Sequence, residues 1–303
     1  MAKTGVRPRV SVGIALFFLS TLTLILVAAP MQRTWGMWGF ILTEFMLLAQ
    51  ALIPARVFRW EFKEVFPMRI PSLGQILGVL VLWLGSYIAV YASTMFLYYW
   101  FPGGMGEVST ALSEFFSGMP MPLTVLMVAG LPSVGEEFLH RGLIQYTFRG
   151  KPRWITIASM GVIFGLFHLD PYRFVGTAIL GAALTYIMVE TKNLLLPIFM
   201  HFANNAVSTF FGLLSESSLG PADLSVAAVG SALILSAIVP FLLLLGSRML
   251  LRGEPRKVEP IGKGTWALTV FLALLLVMAG TAILDIFRDC WHPNPVGKSP
   301  FSP

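Results

Sequence analysis

The sequence predicts an all-α protein, a polytopic transmembrane helical bundle of about eight to nine spans. Composition is the first reason: 56% of the 303 residues are hydrophobic and only 12% are charged, whereas a soluble globular domain carries about 25% charged residues. The second reason is that the apolar residues fall into runs of about 20, the length that a helix needs to cross a bilayer. No polar stretch is long enough to form a separate soluble domain.

Nine apolar runs are candidate spans. In chain order they cover residues 10–29, 35–54, 73–100, 122–148, 154–170, 173–190, 194–214, 225–247 and 265–287. The first run follows Lys3, Arg7 and Arg9 but exceeds the apolar core of about 7–15 residues that signal peptides have, so we interpret it as an uncleaved anchor. The fifth and sixth runs are short and meet tightly at Asp170-Pro171, which leaves the number of spans at eight or nine.

The basic residues cluster in the loops at one side of these spans. With a cytoplasmic N-terminus, 16 Lys and Arg residues lie inside and 4 lie outside, a strong positive-inside bias. This clustering also explains the net charge of +6 without a nucleic-acid partner. We therefore expect a multi-pass protein of a prokaryotic cell membrane, surrounded by lipid. The longest outside segment, 101–121, is predicted to hold a short interfacial helix.

The ionisable residues within the spans are concentrated, first of all in SVGEEFLHRG, residues 133–142. Such groups cost roughly 2.5–3.5 kcal/mol each at the centre of a membrane helix, and they usually face the bundle interior and serve a function. Glu137 and Arg141 are four residues apart, so they share a helix face and are predicted to form an ion pair. Glu136 points about 100° away, toward the side of His140, and is free to act as a general base.

The residues just before the two glutamates predict irregular backbone. Pro132, Ser133 and Gly135 favour a helix break, and Ser133 with Glu136 fits a capping box that would start a helix at this point. Irregular backbone at membrane depth is tolerated where it is buried in protein or lines a cavity. The alternative for the charged residues is an inert Glu–Arg staple that only holds the bundle together.

Two further polar motifs lie at comparable depth. Phe164 and His168 form FxxxH, and His201 and Asn205 form HxxxN, whose spacing places both polar side chains on one helix face. Counted from the nearest cytoplasmic basic residue, Glu136, His168, Asn205 and His201 lie 13, 15, 13 and 9 residues into their spans. These separations correspond to depths of roughly 14–23 Å. A single site at the centre of the bundle is the simplest explanation.

Carboxylates, histidines and an asparagine, with no serine or cysteine among them, favour hydrolysis by an activated water. Glu136 with His168 could polarise the water, and His201 and Asn205 could donate hydrogen bonds to the oxyanion. Zinc held by Glu136, His168 and His201 is the rival arrangement. We favour the metal-free site because the chain has no HExxH motif and asparagine is a poor zinc ligand. The only cysteine, Cys290, is remote in sequence and is assigned no role.

Three motifs stand in order along the chain: GEExxxR (135–141), FxxxH (164–168) and HxxxN (201–205). Taken together, they resemble the CPBP family. This family, also called Abi, comprises CAAX proteases and bacteriocin-processing relatives. The run ETKNLLLPI (190–198) looks like the approach to the family's third motif. The resemblance covers about residues 120–214. Within the family, the chain resembles the CAAX prenyl endopeptidases of the Ras-converting type.

This resemblance implies a membrane-embedded glutamate endopeptidase that needs no cofactor. The residues that it makes catalytic are Glu136, His168, His201 and Asn205. Glu137 and Arg141 would support the site, and His140 and Phe164 are second-tier candidates. The implied substrate is a protein prenylated at a C-terminal cysteine, or a related peptide precursor.

The predicted organisation places this core, residues 121–214, between two sets of further spans. Residues 1–120 supply three N-terminal helices and the outer loop, and residues 215–303 supply C-terminal helices and a tail. Two other functions remain open. A proton- or ion-coupled transporter would also bury Glu, His and Arg, although the chain shows no inverted repeat. A non-catalytic scaffold or immunity protein of the same family would keep the motifs without using them.

Overall fold

The computed structural model describes residues 7–101, 103, 119–216, 226–252 and 260–291. Every regular element in these ranges is a helix, which confirms the all-α bundle. We number the helices in chain order: α1 Val10–Trp35, α2 Met37–Val57, α3 Phe62–Val65, α4 Leu73–Trp100, α5 Met121–Ile144, α6 Arg153–Phe167, α7 Phe174–Thr191, α8 Leu195–Glu216, α9 Val226–Arg252 and α10 Lys263–Trp291.

Seven of the described helices are long and apolar enough to cross a membrane. They are α1, α2, α4, α5, α7, α9 and α10. The other two predicted spans correspond to α6, which has only 15 residues, and to α8, whose polar side chains lower its hydropathy. Helix α3 is a short connecting element. The interfacial helix predicted within 101–121 and the Cys290 side chain lie outside the described part of the chain.

Helix α5 runs without a break through the segment that predicted one. Ser133 lies inside the helix, and its hydroxyl donates to the carbonyl of Gly130 at 2.9 Å, so the predicted helix start at Ser133 is wrong. The helix instead widens into π-helical turns at Leu126–Gly130 and Phe138–Ile144. Such turns keep backbone groups bonded around a proline such as Pro132, which an apolar surrounding requires.

The α6–α7 hairpin brings two short helices into close contact. A Cβ atom on Gly161 would lie 2.9 Å from the carbonyl of Ala178, so glycine is what permits this approach. The connecting turn is held by Asp170, whose carboxylate accepts from the backbone N–H of Tyr172 at 2.8 Å and of Arg173 at 3.4 Å. The tight connection predicted at Asp170-Pro171 is therefore present.

The start of α8 is anchored to the segment that follows α3. Lys192 adopts a left-handed conformation, with φ 47°, and ends α7. The side chain of Asn193 accepts from the backbone N–H groups of Arg69 and Leu195 at 3.2 and 3.3 Å and donates to the carbonyl of Arg69 at 2.8 Å. These bonds fix the position of α8 two turns before His201, the first polar residue of its inner face.

Candidate active site

The predicted ion pair between Glu137 and Arg141 is present and fully buried. Nη1 of Arg141 donates to Oε1 of Glu137 at 2.9 Å, and both side chains are 0% exposed. Nη2 of Arg141 donates to the carbonyl of Gly181 on α7 at 3.0 Å. The guanidinium carbon lies 4.2 Å from the ring centroid of Phe164 on α6, in a cation–π contact. Arg141 therefore ties three helices together at one point.

Glu137 also holds His201, which sequence reasoning did not anticipate. Nδ1 of His201 lies 2.9 Å from the same Oε1 atom that accepts from Arg141. An ionised carboxylate can only accept, so the hydrogen of this bond belongs to Nδ1. The contact fixes the orientation of the imidazole ring and leaves Nε2 for another partner. It joins the first motif on α5 directly to the third motif on α8.

Asn205 lies one turn beyond His201 on the same face of α8, as its spacing predicts. Its Nδ2 donates to the carbonyl of Val128 on α5 at 3.1 Å. Pro132, four residues after Val128, has no N–H to offer that carbonyl. Nδ2 carries a second hydrogen, which can be donated elsewhere. Asn204 donates to Oδ1 of Asn205 at 3.2 Å and further restrains the amide.

Phe164 occupies the centre of the cluster and is fully buried. Its ring centroid lies 4.9 Å from that of His168, 5.1 Å from that of His140 and 5.7 Å from that of His201, all edge to face. One aromatic ring thus spaces three imidazoles and also supports the guanidinium of Arg141. Phe164 therefore separates the three imidazole rings from one another and from the guanidinium of Arg141.

His168 and His140 are both oriented by backbone carbonyls one turn earlier. Nδ1 lies 2.8 Å from the carbonyl of Phe164 in His168 and 2.9 Å from the carbonyl of Glu136 in His140. A carbonyl accepts, so each Nδ1 carries the hydrogen and Nε2 of the neutral ring is an acceptor. Nε2 of His140 is buried and makes no hydrogen bond with the described residues. Nε2 of His168 is likewise left able to accept a hydrogen bond.

Glu136 differs from Glu137 in that no hydrogen bond or ion pair with a described residue holds its carboxyl group. Its Oε2 is buried and forms no hydrogen bond within the described ranges. The carboxyl group interacts electrostatically with His201, Glu137 and Arg141, and also with Arg173, which follows the α6–α7 turn. Glu136 therefore belongs to the same cluster as the other motif residues, and its free oxygen is available for a reactant. Arg173 was not predicted at this site.

Sequence reasoning also missed Glu44 on α2, a carboxylate at the edge of the cluster. The side chain is 7% exposed, and Oε2 makes no hydrogen bond with any residue that the structure describes. A Cβ atom on Gly135 would lie 2.9 Å from that oxygen. The sequence does carry one signal for Glu44, because it is a lone acidic residue within the predicted span 35–54. It lies 12 residues from Arg56, or about 18 Å deep, which matches the depth estimated for Glu136.

Residues 118–207 match the family model described as type II CAAX prenyl endopeptidase, Rce1-like. All three motifs lie inside this segment. This match covers 90 of the 303 residues and is consistent with the CPBP, or CAAX protease, family. Rce1-like proteins form a family of membrane proteases. No curated protein and no solved structure matches the chain.

A cavity opens at the end of the Rce1-like domain that carries the basic loops. It has a volume of about 580 Å³ and reaches inward to Arg141 and Gly142. Six basic side chains line it: Lys63, Arg141, Arg149, Lys151, Arg153 and Lys192. Glu64 lines it as well and pairs with Arg149 at 3.0 Å. Of the polar cluster, Arg141 lines this cavity, which therefore approaches the cluster from the side of the bundle that is predicted to be cytoplasmic.

The zinc alternative requires Glu136, His168 and His201 to converge as three ligands. Among the residues that the structure describes, no group of three His, Cys, Asp or Glu side chains is arranged to hold a metal ion. Nδ1 is already engaged in both histidines, so only Nε2 of each could serve as a ligand. Independence from metal remains a prediction, and it is tested by chelation.

Proposed function

We propose that this protein is an intramembrane endopeptidase whose Rce1-like domain hydrolyses peptide bonds with a water activated by Glu136 and His168. One observation carries the proposal: Oε1 of Glu137 binds Arg141 and His201 at the same time, at 2.9 Å each. That double contact aligns the first and third motifs around the unpartnered carboxylate of Glu136. An inert Glu–Arg staple would need neither an oriented histidine nor a second, uncommitted glutamate.

Activation of the water uses two of the acceptors that the cluster leaves free. Oε2 of Glu136 and Nε2 of His168 can both accept hydrogen bonds from one water. As the water oxygen attacks the carbonyl carbon of the scissile bond, its proton passes to Glu136 and the carbonyl π electrons move to oxygen. A positioned general base of this kind contributes about 10²–10⁴-fold to the rate.

The resulting oxyanion requires hydrogen-bond donors, and α8 supplies two candidates. Asn205 has the second hydrogen of Nδ2, and His201 has Nε2 when its ring is protonated. The Glu137 carboxylate stabilises that imidazolium through Nδ1. Each oxyanion donor is worth about 10²–10³-fold in rate. Collapse of the tetrahedral intermediate breaks the C–N bond, and the proton held by Glu136 passes to the leaving amine.

The substrate that this site supports best is a protein or peptide held at the membrane by its own lipid group. A protein prenylated at a C-terminal cysteine is the substrate class of CAAX-type proteases, and a related peptide precursor is the alternative. Phe199 and Phe202 flank His201 on α8 and are exposed. In a bilayer such side chains offer an apolar surface beside the site for a prenyl chain.

The test combines a purified assay with an unbiased one. The protein in liposomes is given quenched fluorescent peptides that end in a CAAX sequence, with and without a farnesyl group on the cysteine. We expect cleavage by the wild type and no cleavage by Glu136→Gln. The control variant is Asp285→Asn, which should cleave like the wild type because Asp285 is an exposed residue of α10, remote in sequence from the motifs. In cells, mass spectrometry compares protein termini between wild type and Glu136→Gln.

The outcomes separate the competing functions. Termini that disappear in the Glu136→Gln cells establish proteolysis and reveal whether the substrates are prenylated. Identical termini in both cells, with both proteins well expressed, would contradict the protease function. Proton-dependent flux in liposomes that survives Asn205→Ala would then favour the transporter. A cellular phenotype that survives Glu136→Gln would favour the scaffold.

A further inference from the structure

Glu44 is a buried carboxyl group that the mechanism above does not use. It lies on α2, outside the segment that matches the Rce1-like family, and only 7% of the residue is exposed. Carboxylates in membrane helices are costly, and they are retained where they have a partner or a function. The immediate surroundings of Glu44 indicate which of these applies.

The backbone of the first motif lies directly against Glu44. A Cβ atom at Gly135 would be 2.9 Å from Oε2 of Glu44 and 3.0 Å from its backbone carbonyl. The glycine of the GEExxxR motif is therefore what allows α2 to approach α5 at this position. Glu136 follows Gly135 in the chain, and its carboxyl group interacts electrostatically with that of Glu44. Each carboxyl group has an Oε2 atom without a hydrogen bond among the described residues.

Glu136 is the charged residue nearest in the chain to the position that Glu44 contacts, since it directly follows Gly135. The helices that contact α2 most extensively are α1, α3 and α5. Including α2 itself, these helices carry the following other charged or titratable residues: Arg33, Arg56, Lys63, Glu64, Glu136, Glu137, His140 and Arg141. Of these, Arg141 is committed to Glu137, and Glu136 is the one with which Glu44 interacts.

Glu44 packs against Gly135, and Glu136 is the next residue in the chain. Two neighbouring carboxyl groups within an apolar bundle do not both ionise readily, because like charges in a low-dielectric surrounding repel strongly. We propose that Glu44 and Glu136 share one proton, which Glu44 holds and donates toward the free oxygen of Glu136. Glu44 thereby keeps Glu136 ionised and oriented as the base. It is a positioning residue that acts through Glu136, and this role rests on the proposed function of Glu136.

The first test detects the proton without any catalysis. Infrared spectra of the protein in liposomes at neutral pH are compared for wild type, Glu44→Gln and Glu136→Gln. We expect the carbonyl-stretch band of a protonated carboxylic acid in the wild type, its loss in Glu44→Gln and its persistence in Glu136→Gln. A band that is unchanged in Glu44→Gln would overturn the proposal. This result does not depend on whether the protein is a protease.

The second test separates a proton donor from a merely structural side chain. Glutamine at position 44 keeps a donor, so Glu44→Gln should retain kcat within about threefold. Leucine has none, so Glu44→Leu should lower kcat by about 10–100-fold at unchanged KM and move the acid limb of the kcat profile to higher pH. The proposal would be overturned if folded Glu44→Leu had the kcat and the pH profile of the wild type. Equal losses of kcat in Glu44→Gln and Glu44→Leu would overturn it as well. If Glu44→Leu does not fold, the infrared comparison decides.

Discussion

Replacement of Arg141 by alanine is the sharpest test of how the site is built. The substitution leaves Glu137, which is 0% exposed, without its charged partner. Breaking a buried ion pair by removing one partner costs about 3–5 kcal/mol. The carbonyl of Gly181 also loses its donor from Arg141, and Phe164 loses its cation. Because these losses occur at one point they overlap, and we expect a total of about 3–5 kcal/mol rather than their sum.

The assay is unfolding of the purified protein in detergent micelles, followed by circular dichroism. Arg149→Ala is a matched control, since Arg149 forms an ion pair with Glu64 at a similar distance, 3.0 Å, but with the two side chains 52% and 59% exposed. Exposed pairs contribute about 0–1 kcal/mol. Equal stability of Arg141→Ala and Arg149→Ala would refute the assignment of a buried, structurally essential pair.

A double variant separates stability from catalysis. Glu137→Gln combined with Arg141→Met removes both buried charges, and such replacements are often neutral or stabilising relative to the ion pair. We therefore expect the double variant to recover most of the stability that Arg141→Ala loses. It should remain inactive, because a glutamine no longer offers the carboxylate that stabilises protonated His201. An active double variant would show that Glu137 supports only the fold.

Three further predictions concern the oxyanion hole, the packing of α2 against α5, and dependence on a metal ion. Asn205→Ala should lower kcat by about 10²–10³-fold in the peptide assay; an unchanged kcat would remove Asn205 from the oxyanion hole. Gly135→Ala should destabilise the protein by about 1–3 kcal/mol in the unfolding assay, since its Cβ would lie 2.9 Å from the Glu44 carboxyl group; wild-type stability would contradict that contact. Dialysis against a chelator should leave hydrolysis unchanged, whereas activity lost to the chelator and restored by zinc would support the metal alternative.

Comparable depths, counted from the basic loops, led to the prediction that the polar residues of α5, α6 and α8 meet at one site. Residues four apart share a helix face, so the Glu137–Arg141 pair and the shared face of His201 and Asn205 follow from geometry alone. Spacing within one helix does not determine which group on a second helix accepts a hydrogen bond. The bond from His201 to Glu137 depends on how closely α8 approaches α5. That distance is fixed partly at Asn193, two turns before the third motif, through its bonds to Arg69.

One expectation was wrong and one residue was missed, each for an identifiable physical reason. The capping-box pattern at Ser133 is common in water, but inside an apolar bundle the backbone keeps its own hydrogen bonds and the hydroxyl bonds back to Gly130. Glu44 escaped notice because it belongs to no motif and because the residue it packs against, Gly135, lies on another helix. Its depth alone, about 18 Å by residue count, was the usable signal.

The two adjacent glutamates illustrate why the site needs residues beyond its motifs. Glu137 is fixed by Arg141 and His201 through one oxygen atom, so it cannot easily serve as a base. Among the residues that the structure describes, Glu136 has no such fixed contacts, so its carboxyl group is left for a reactant. A general base must be ionised to accept a proton, and two neighbouring carboxyl groups in an apolar bundle do not both ionise readily. Glu44, the buried carboxyl group that packs against Gly135, is therefore the group that we propose to carry the proton.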